Sequence, residues 1–290
     1  MPADVNIWIL VGIGFPAGLL GSMLGVGGGI IIVPILTLAL GIPIQYAIGS
    51  SLVSIVINAC TATGVYVRMH MTNLKLGLLL ACTLVPGAVV GAFMGAKLSS
   101  TVLSVIFGIL LFYVAYSMIP KKPHKLREEL IEAQVSATEG SHRQDGWLDD
   151  SYFDPAVKQE IGYHVQRPGV GMVTGFFGGI ISRMLGIGGG IINVPVMSQV
   201  MKVPVKATVA TSSLLLCFTT MTGSLIYAYH GFVLPYLIAP LCISVYIGSR
   251  LGAAIAHRVH SKVLMVFFAV FLALTAAIMI LRALNIIGGS

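Results

Sequence analysis

Charge is what this sequence lacks most. Only 9% of its 290 residues are Asp, Glu, Lys or Arg, where a soluble domain carries about 25%. A surface that poor in charge cannot be held in water, so lipid must cover much of it. The missing charge is chiefly negative. Outside residues 120–168 the only carboxylate is Asp4, against ten Lys and Arg, and no long apolar segment contains Asp or Glu. Cation transporters and proton pumps keep such groups in the membrane as ligands or proton relays. Their absence counts against a cation as substrate and favours an anion. A close-spaced cysteine pair is missing too. Cys60, Cys82, Cys217 and Cys242 stand far apart inside apolar segments, which suggests neither a zinc site nor a disulfide framework and fits small packing residues. No segment gathers the His/carboxylate or Cys cluster that enzymatic chemistry needs, so neither an enzyme nor a cofactor is expected. The basic residues are scattered over segment ends instead of one face, which excludes nucleic acid as a partner. The amino terminus has no basic region and no small-residue cleavage site, so residues 5–24 read as a permanent membrane segment.

What is present is apolar sequence in eight blocks: 5–41, 46–68, 74–96, 101–119, 169–201, 205–229, 232–256 and 263–284. A membrane-spanning helix needs about 20 such residues. The chain also repeats itself at an offset of 161. Residues 23–34 (MLGVGGGIIIVP) and 184–195 (MLGIGGGIINVP) agree at ten of twelve positions. Pro43 aligns with Pro204, Ser50-Ser51 with Thr211-Ser212, Gly87 with Gly248 and Gly91 with Gly252. The repeat implies two homologous membrane bundles, 1–119 and 169–290, joined by a polar linker, 120–168. Such duplication is common in secondary transporters. The linker opens KKPHKLREELIEAQ, where a short amphipathic helix is expected, and its Trp147, Tyr152 and Phe153 are candidates to pack it onto the bundle.

Block 5–41 has 37 residues. One straight helix of that length would measure roughly 55 Å against a hydrocarbon core of about 30 Å. Gly25 and Gly27-Gly28-Gly29 interrupt it, and Pro34 is tolerable only near a new helix start. The expected arrangement is helix, glycine break, helix, repeated at Gly186 to Gly190 with Pro195. Charge decides whether the block crosses or turns back, because Lys and Arg concentrate on the cytoplasmic side. If each block crosses once and the amino terminus is inside, three loop basic residues fall inside and five outside. If each is a hairpin and the amino terminus is outside, Arg68, Lys75, Lys202, Lys206, Arg258 and Lys262 fall inside, and only Lys97 and Arg282 outside. The fold expected is therefore all-α and polytopic, two inverted repeats, each with a re-entrant helix–Gly–helix hairpin and three spanning helices. The protein is placed in the inner (plasma) membrane with the linker cytoplasmic. The partners are the bilayer and a small anion, and a homo-oligomer is compatible with the sequence.

The helix after each break offers unpaired N–H groups and positive dipole charge, glycine lets a ligand approach that backbone, and both starts can point at one midplane site. The candidate substrate residues are Gly25, Gly27, Gly28, Gly29, Gly186, Gly188, Gly189 and Gly190. Close helix packing is the competing role for these glycines. Arg183 and Ser22, which align across the repeat, are candidates too; Arg183 lies in an apolar segment where a cation is costly and marks function, with snorkelling or carbonyl contacts as its alternative. Ser50, Ser51, Thr211 and Ser212 lie near helix starts and suit either oxyanion coordination or capping. Asn58 and Asn193 are polar groups that need partners, while His70 and His230 sit at helix ends.

The duplicated LGxGGGIIxVP, each copy followed by a Pro-containing loop and a Gly-Ser-Ser-Leu or Thr-Ser-Ser-Leu helix start, resembles the TauE/SafE family of the toluene sulfonate uptake permease superfamily. The resemblance covers both halves but not the linker. It implies transport of sulfur-containing anions such as sulfite, sulfonates or sulfoacetate, often as export, with the eight motif glycines in the substrate region. Arg183 is not part of that motif. A carrier or channel for another anion, such as a carboxylate, is the alternative. Reporter fusions after residue 204 are expected to read cytoplasmic; an external signal there would contradict the paired hairpins.

Overall fold

The computed structural model describes residues 7–118, 147–154, 159–256, 272–279 and 281. Its helices are α1 (Ile7–Leu24), α2 (Gly29–Leu38), α3 (Ile44–Arg68), α4 (Leu74–Lys97), α5 (Ser100–Met118), α6 (Pro168–Leu185), α7 (Gly190–Pro195), α8 (Val205–Tyr229) and α9 (Pro235–Ile255). Five of them, α1, α3, α4, α8 and α9, are long and apolar enough to cross a membrane. The helix boundaries have local causes. Asn73 Oδ1 accepts from the Leu76 N–H at 2.9 Å and starts α4. Proline opens α6 and α9, where a missing N–H costs nothing. Exposed Trp8, Phe112, Phe177 and Tyr229 give the outer surface the apolar character that lipid requires.

The halves interlock. Helix α3 packs against α8 at the centre, α1 against α9, and α4 against α6. Glycines set these contacts. Gly87 and Gly91 of α4 lie on the Phe176 and Ile180 carbonyls, and Gly248 and Gly252 of α9 lie on those of Phe15 and Leu19. The two pairs that align in sequence thus receive the first helix of the opposite half. Small residues let helix backbones approach closely where lipid gives no hydrophobic drive. Across the central interface Thr63 Oγ1 and Cys217 Sγ lie 3.5 Å apart, a proximity that their separation along the chain conceals.

One end of the bundle gathers residues 41–46, 98–100 and 230–234. There Gln45 Nε2 donates to the Leu98 carbonyl at 3.1 Å, Ser100 Oγ donates to Gln45 Oε1 at 2.7 Å, and Tyr46 meets Phe232 edge-on. The other end gathers Met71, Tyr152, Tyr163, Val165, Met201 and Val203 in one cluster. Helix α1 runs parallel to α9, with Gly14 against Ser244 and Gly252 against Leu19 and Ser22. It therefore leaves the first end and stops at a turn facing Ile55 and Leu216, each midway along a 25-residue helix. From there α2 leads back to the first end, where Ile42 N–H bonds the Leu36 carbonyl at 3.1 Å. Helix α6 runs parallel to α4, with Gly171 against Leu80 and Gly95 against Met184. It starts at the second end, turns at mid-depth, and α7 returns there.

Pro34 lies near the start of α2, which begins at Gly29. Pro195 ends α7, and the chain widens into a π-helical turn, Val196–Val200. A proline has no N–H and crowds the carbonyl four residues back, so it suits the early part of each short helix. Some details depart from the sequence expectation. The fold is not purely helical. Strands β1 (Asp150–Asp154) and β2 (Gln159–Tyr163) form an antiparallel hairpin with Asp150 opposite Tyr163. Tyr152 and Tyr163 are buried, but they stand among charged and polar residues, so a charge-rich stretch hid these strands. Tyr152 packs into the bundle end as expected, whereas Trp147 is 69% exposed. Asn73 Nδ2 donates to the Leu148 carbonyl at 2.9 Å and anchors the segment. The amphipathic helix expected at the start of the linker, the side chain of Phe153, and most of block 263–284 lie outside the described residues; within that block 272–279 are helical.

A Cβ at Gly252 would run into the Leu19 carbonyl and Ser22 Oγ, while one at Gly64, exposed within α3, meets nothing. Overpacking costs about 1–3 kcal/mol, and Gly to Ala in an open helix position gains about 0.5–1 kcal/mol. Thermal unfolding of purified protein is expected to show Gly252→Ala melting several degrees lower and Gly64→Ala melting level with or above the parent.

Candidate functional site

The two glycine turns are built alike at their entry. Helix α1 ends where Val26 N–H bonds the Gly21 carbonyl at 3.0 Å, with Gly25 left-handed at φ 66°. Helix α6 ends where Ile187 N–H bonds the Ser182 carbonyl at 3.1 Å, with Gly186 at φ 67°. Glycine at this position closes a helix without the steric penalty that a side chain would meet. Gly27 and Gly188 are left-handed as well, at φ 89° and 81°. The copies then diverge, with Gly28 at φ 79° and Gly189 at φ −19°. Neither Gly28 nor Gly189 caps the following helix with a side chain, so no side chain occupies the first N–H groups of either helix, although Gly190 N–H meets the Gly188 carbonyl.

The turns touch each other backbone to backbone. A Cβ on Gly29 would strike the Gly186 carbonyl, and one on Gly190 would strike that of Gly25. Two hydroxyls brace this crossing. Ser51 Oγ donates to the Ile48 and Gly186 carbonyls at 2.9 and 3.4 Å, and Ser212 Oγ donates to the Gly25 carbonyl at 3.0 Å. Ser51 and Ser212 are thus at the turns, with their protons directed to backbone. Ser50 and Thr211 are fully buried but face the two bundle ends: Ser50 Oγ accepts from the Leu234 N–H at 3.4 Å and Thr211 Oγ1 from the Asn73 N–H at 3.1 Å. Ser22 Oγ donates to the Leu19 carbonyl at 3.0 Å.

Arg183 stands apart from all of these. It occupies the last turn of α6, is 0% exposed, and none of its three guanidinium nitrogens has a hydrogen-bond partner among the described residues. Gly223 of α8 makes room for its stem. A methyl placed on Gly189 would lie 3.1 Å from Asn193 Nδ2, 3.4 Å from Ser182 Oγ and 3.9 Å from Arg183 Nη2. Asn193 Nδ2 is also buried without a partner. The second turn therefore brings together a cation and a carboxamide donor beside a helix start. Charge buried without compensation costs several kcal/mol, and an anion between Arg183 and Asn193 would supply that compensation. No group of three or more His, Cys, Asp or Glu is close enough to hold a metal among the described residues.

In the sequence Asn58 and Asn193 stand out only as polar groups that need partners, with no place in the site. Tyr66 and Tyr227 do not stand out at all, yet their hydroxyls donate to the Ser22 and Met184 carbonyls at 2.9 and 3.1 Å and hold the ends of α1 and α6. The offset of 161 pairs these tyrosines and is the one signal of their role. His230 lies at the end of α8 as expected, its Nδ1 2.8 Å from the Ile226 carbonyl, with Phe232 stacked on its ring.

Known proteins share this sequence along most of its length. The profile of the family described as "Sulfite exporter TauE/SafE" matches residues 10–279. The chain is 29% identical over 273 residues to the probable membrane transporter protein YunE of Bacillus subtilis, covering 92% of this chain and 94% of that protein. It is 26% identical over 288 residues to the probable membrane transporter protein MJ0441 of Methanocaldococcus jannaschii, covering 94% and 95%. No solved structure matches it. With the profile spanning nearly the whole chain and five helices fit to cross a bilayer, the chain belongs to the TauE/SafE family of membrane transporters.

Proposed function

We propose that the protein carries a small sulfur-containing anion, sulfite or a sulfonate or sulfoacetate, across the plasma membrane, and exports it by alternating access. The observation that carries this reading is Arg183, fully buried with no hydrogen-bond partner among the described residues. A guanidinium presents a planar fork of donors suited to oxyanions. In an enclosed site it favours an anion over a neutral or cationic solute. Asn193 Nδ2 and the uncapped start of α7 add donors to the same place.

In this reading the halves are inverted in the bilayer and each glycine block is re-entrant. The support is geometric. The turns between α3 and α4 and between α7 and α8 meet at one end together with residues 148–154 and 159–166, which agrees with a cytoplasmic face rich in Lys and Arg. Non-helical backbone at membrane depth is tolerated only inside protein or beside a water-filled cavity, and the two glycine turns, covered by α3 and α8, meet that condition. Substrate would bind at the midplane, with Arg183 as its counter-charge and the halves rocking about the crossing of α3 and α8.

The test is thermal unfolding of purified protein with sulfite, sulfate, thiosulfate, taurine, sulfoacetate and a simple carboxylate. A ligand at 100 times its Kd stabilises by about 2.7 kcal/mol, roughly 5–10 °C for a protein of this size. At least one sulfur anion is expected to raise the Tm with concentration, and Arg183→Ala to abolish the shift while Arg183→Lys keeps part of it. Stabilisation by the carboxylate alone would favour the alternative anion class.

A further inference from the structure

The first glycine turn is not a plain copy of the second. Arg183 is replaced there by Ser22, and Asn193 by Ile32, so the charge and the carboxamide of the second turn are both missing from the aligned positions. A carboxamide is present all the same, and it comes from another helix. Asn58 of α3 is 1% exposed, and neither its Nδ2 nor its Oδ1 has a hydrogen-bond partner among the described residues. A Cβ at Gly28 would lie 3.4 Å from Asn58 Nδ2, and one at Gly21 would lie 2.5 Å from it and against the Gly28 amide. Gly21 aligns with Ser182, so the loss of that side chain is what lets Asn58 reach the turn. Ser249 Oγ of α9 donates to the Asn58 carbonyl at 2.9 Å and fixes the backbone there. The residue aligned with Asn58 is Thr219, whose hydroxyl turns back to the Leu215 carbonyl at 2.8 Å. Both turns therefore hold a buried carboxamide whose Nδ2 has no partner among the described residues, at the third glycine, Gly28 or Gly189, supplied from non-equivalent positions.

We infer that Asn58, with the uncapped start of α2 at Gly28, forms a second substrate subsite that takes an uncharged hydrogen-bonding group, while the Arg183 turn takes the anionic one. This rests on the reading of Arg183 as the substrate's counter-charge. The chemistry of the two subsites differs. Arg183 offers donors and positive charge. Asn58 offers one amide group that donates and one carbonyl that accepts, with no charge of either sign on the aligned side chains around it. A buried carboxamide with both atoms free is matched by a group that both gives and takes a hydrogen bond, such as a hydroxyl. A second full charge would find no counter-charge there and would be left desolvated. The substrate class is accordingly a monoanion with a neutral polar end, a hydroxyalkyl sulfonate in preference to an alkyl sulfonate or a dianion.

Titration calorimetry on the full chain compares 2-hydroxyethanesulfonate with ethanesulfonate, which differ by one hydroxyl. The parent is expected to bind the hydroxylated ligand about tenfold more tightly, the scale of one well-made hydrogen bond. Asn58→Thr, which imports the residue found at the aligned position, is expected to bring that ratio to about one; Asn58→Leu serves as a second variant should the first fail to fold. A ratio near one in the parent, or a tenfold ratio that survives in either variant while both ligands weaken together, would overturn the Asn58 subsite and leave the Arg183 reading standing. Failure of both sulfonates and of sulfite to bind the parent, or equal binding in the parent and Arg183→Ala, would overturn the Arg183 reading and this inference with it.

Discussion

Everything distinctive in this protein depends on two stretches of backbone touching at the middle of a bundle. Gly29 rests on the Gly186 carbonyl and Gly190 on that of Gly25, and no residue with a Cβ fits at either point. That contact forces both helices to break at the same depth, because a side chain on either strand of the crossing would separate the turns. It also sets the direction of the chain beyond the break. Each segment must turn back, and each new helix begins with N–H groups that no neighbouring side chain caps. The hydroxyls of Ser51 and Ser212 tie each turn to a long central helix of the other half. A change in the angle between α3 and α8 would therefore move both turns together.

Around that shared core the two halves carry different chemistry. The offset of 161 relates Gly25 to Gly186 and Ser51 to Ser212, and these residues do the same work. It also relates Ser22 to Arg183 and Ile32 to Asn193, and there the work differs. The residues that match across the offset form the turns, and the differences at a few positions next to them supply polarity. A buried cation without a hydrogen-bond partner among the described residues is unfavourable where the apolar segments contain no carboxylate to meet it, and a bound anion would resolve it.

Much of this was legible in the sequence, for identifiable reasons. The glycine breaks could be read because glycine and proline leave few conformational alternatives, and because ten of twelve residues recur. Arg183 could be read because a cation in an apolar run is conspicuous. The role of Ser51 and Ser212 was half legible: their position near helix starts was clear, but their partners lie 135 and 187 residues away. Asn58 escaped assignment because its equivalence to Asn193 exists only in space; aligning the repeats sets it beside Thr219. The β-hairpin of residues 150–163 escaped because its pairing depends on Tyr152 and Tyr163 facing the bundle, while its neighbours in sequence are charged.

Whether Arg183 is the fixed positive charge for a transported anion is decided by counterflow in proteoliposomes: labelled sulfite outside, unlabelled sulfite inside, at saturating internal concentration. Saturable uptake that internal sulfite accelerates is expected, with its loss in Arg183→Ala while the protein stays folded. Uptake in Arg183→Ala that matches the parent in rate and saturation would contradict it.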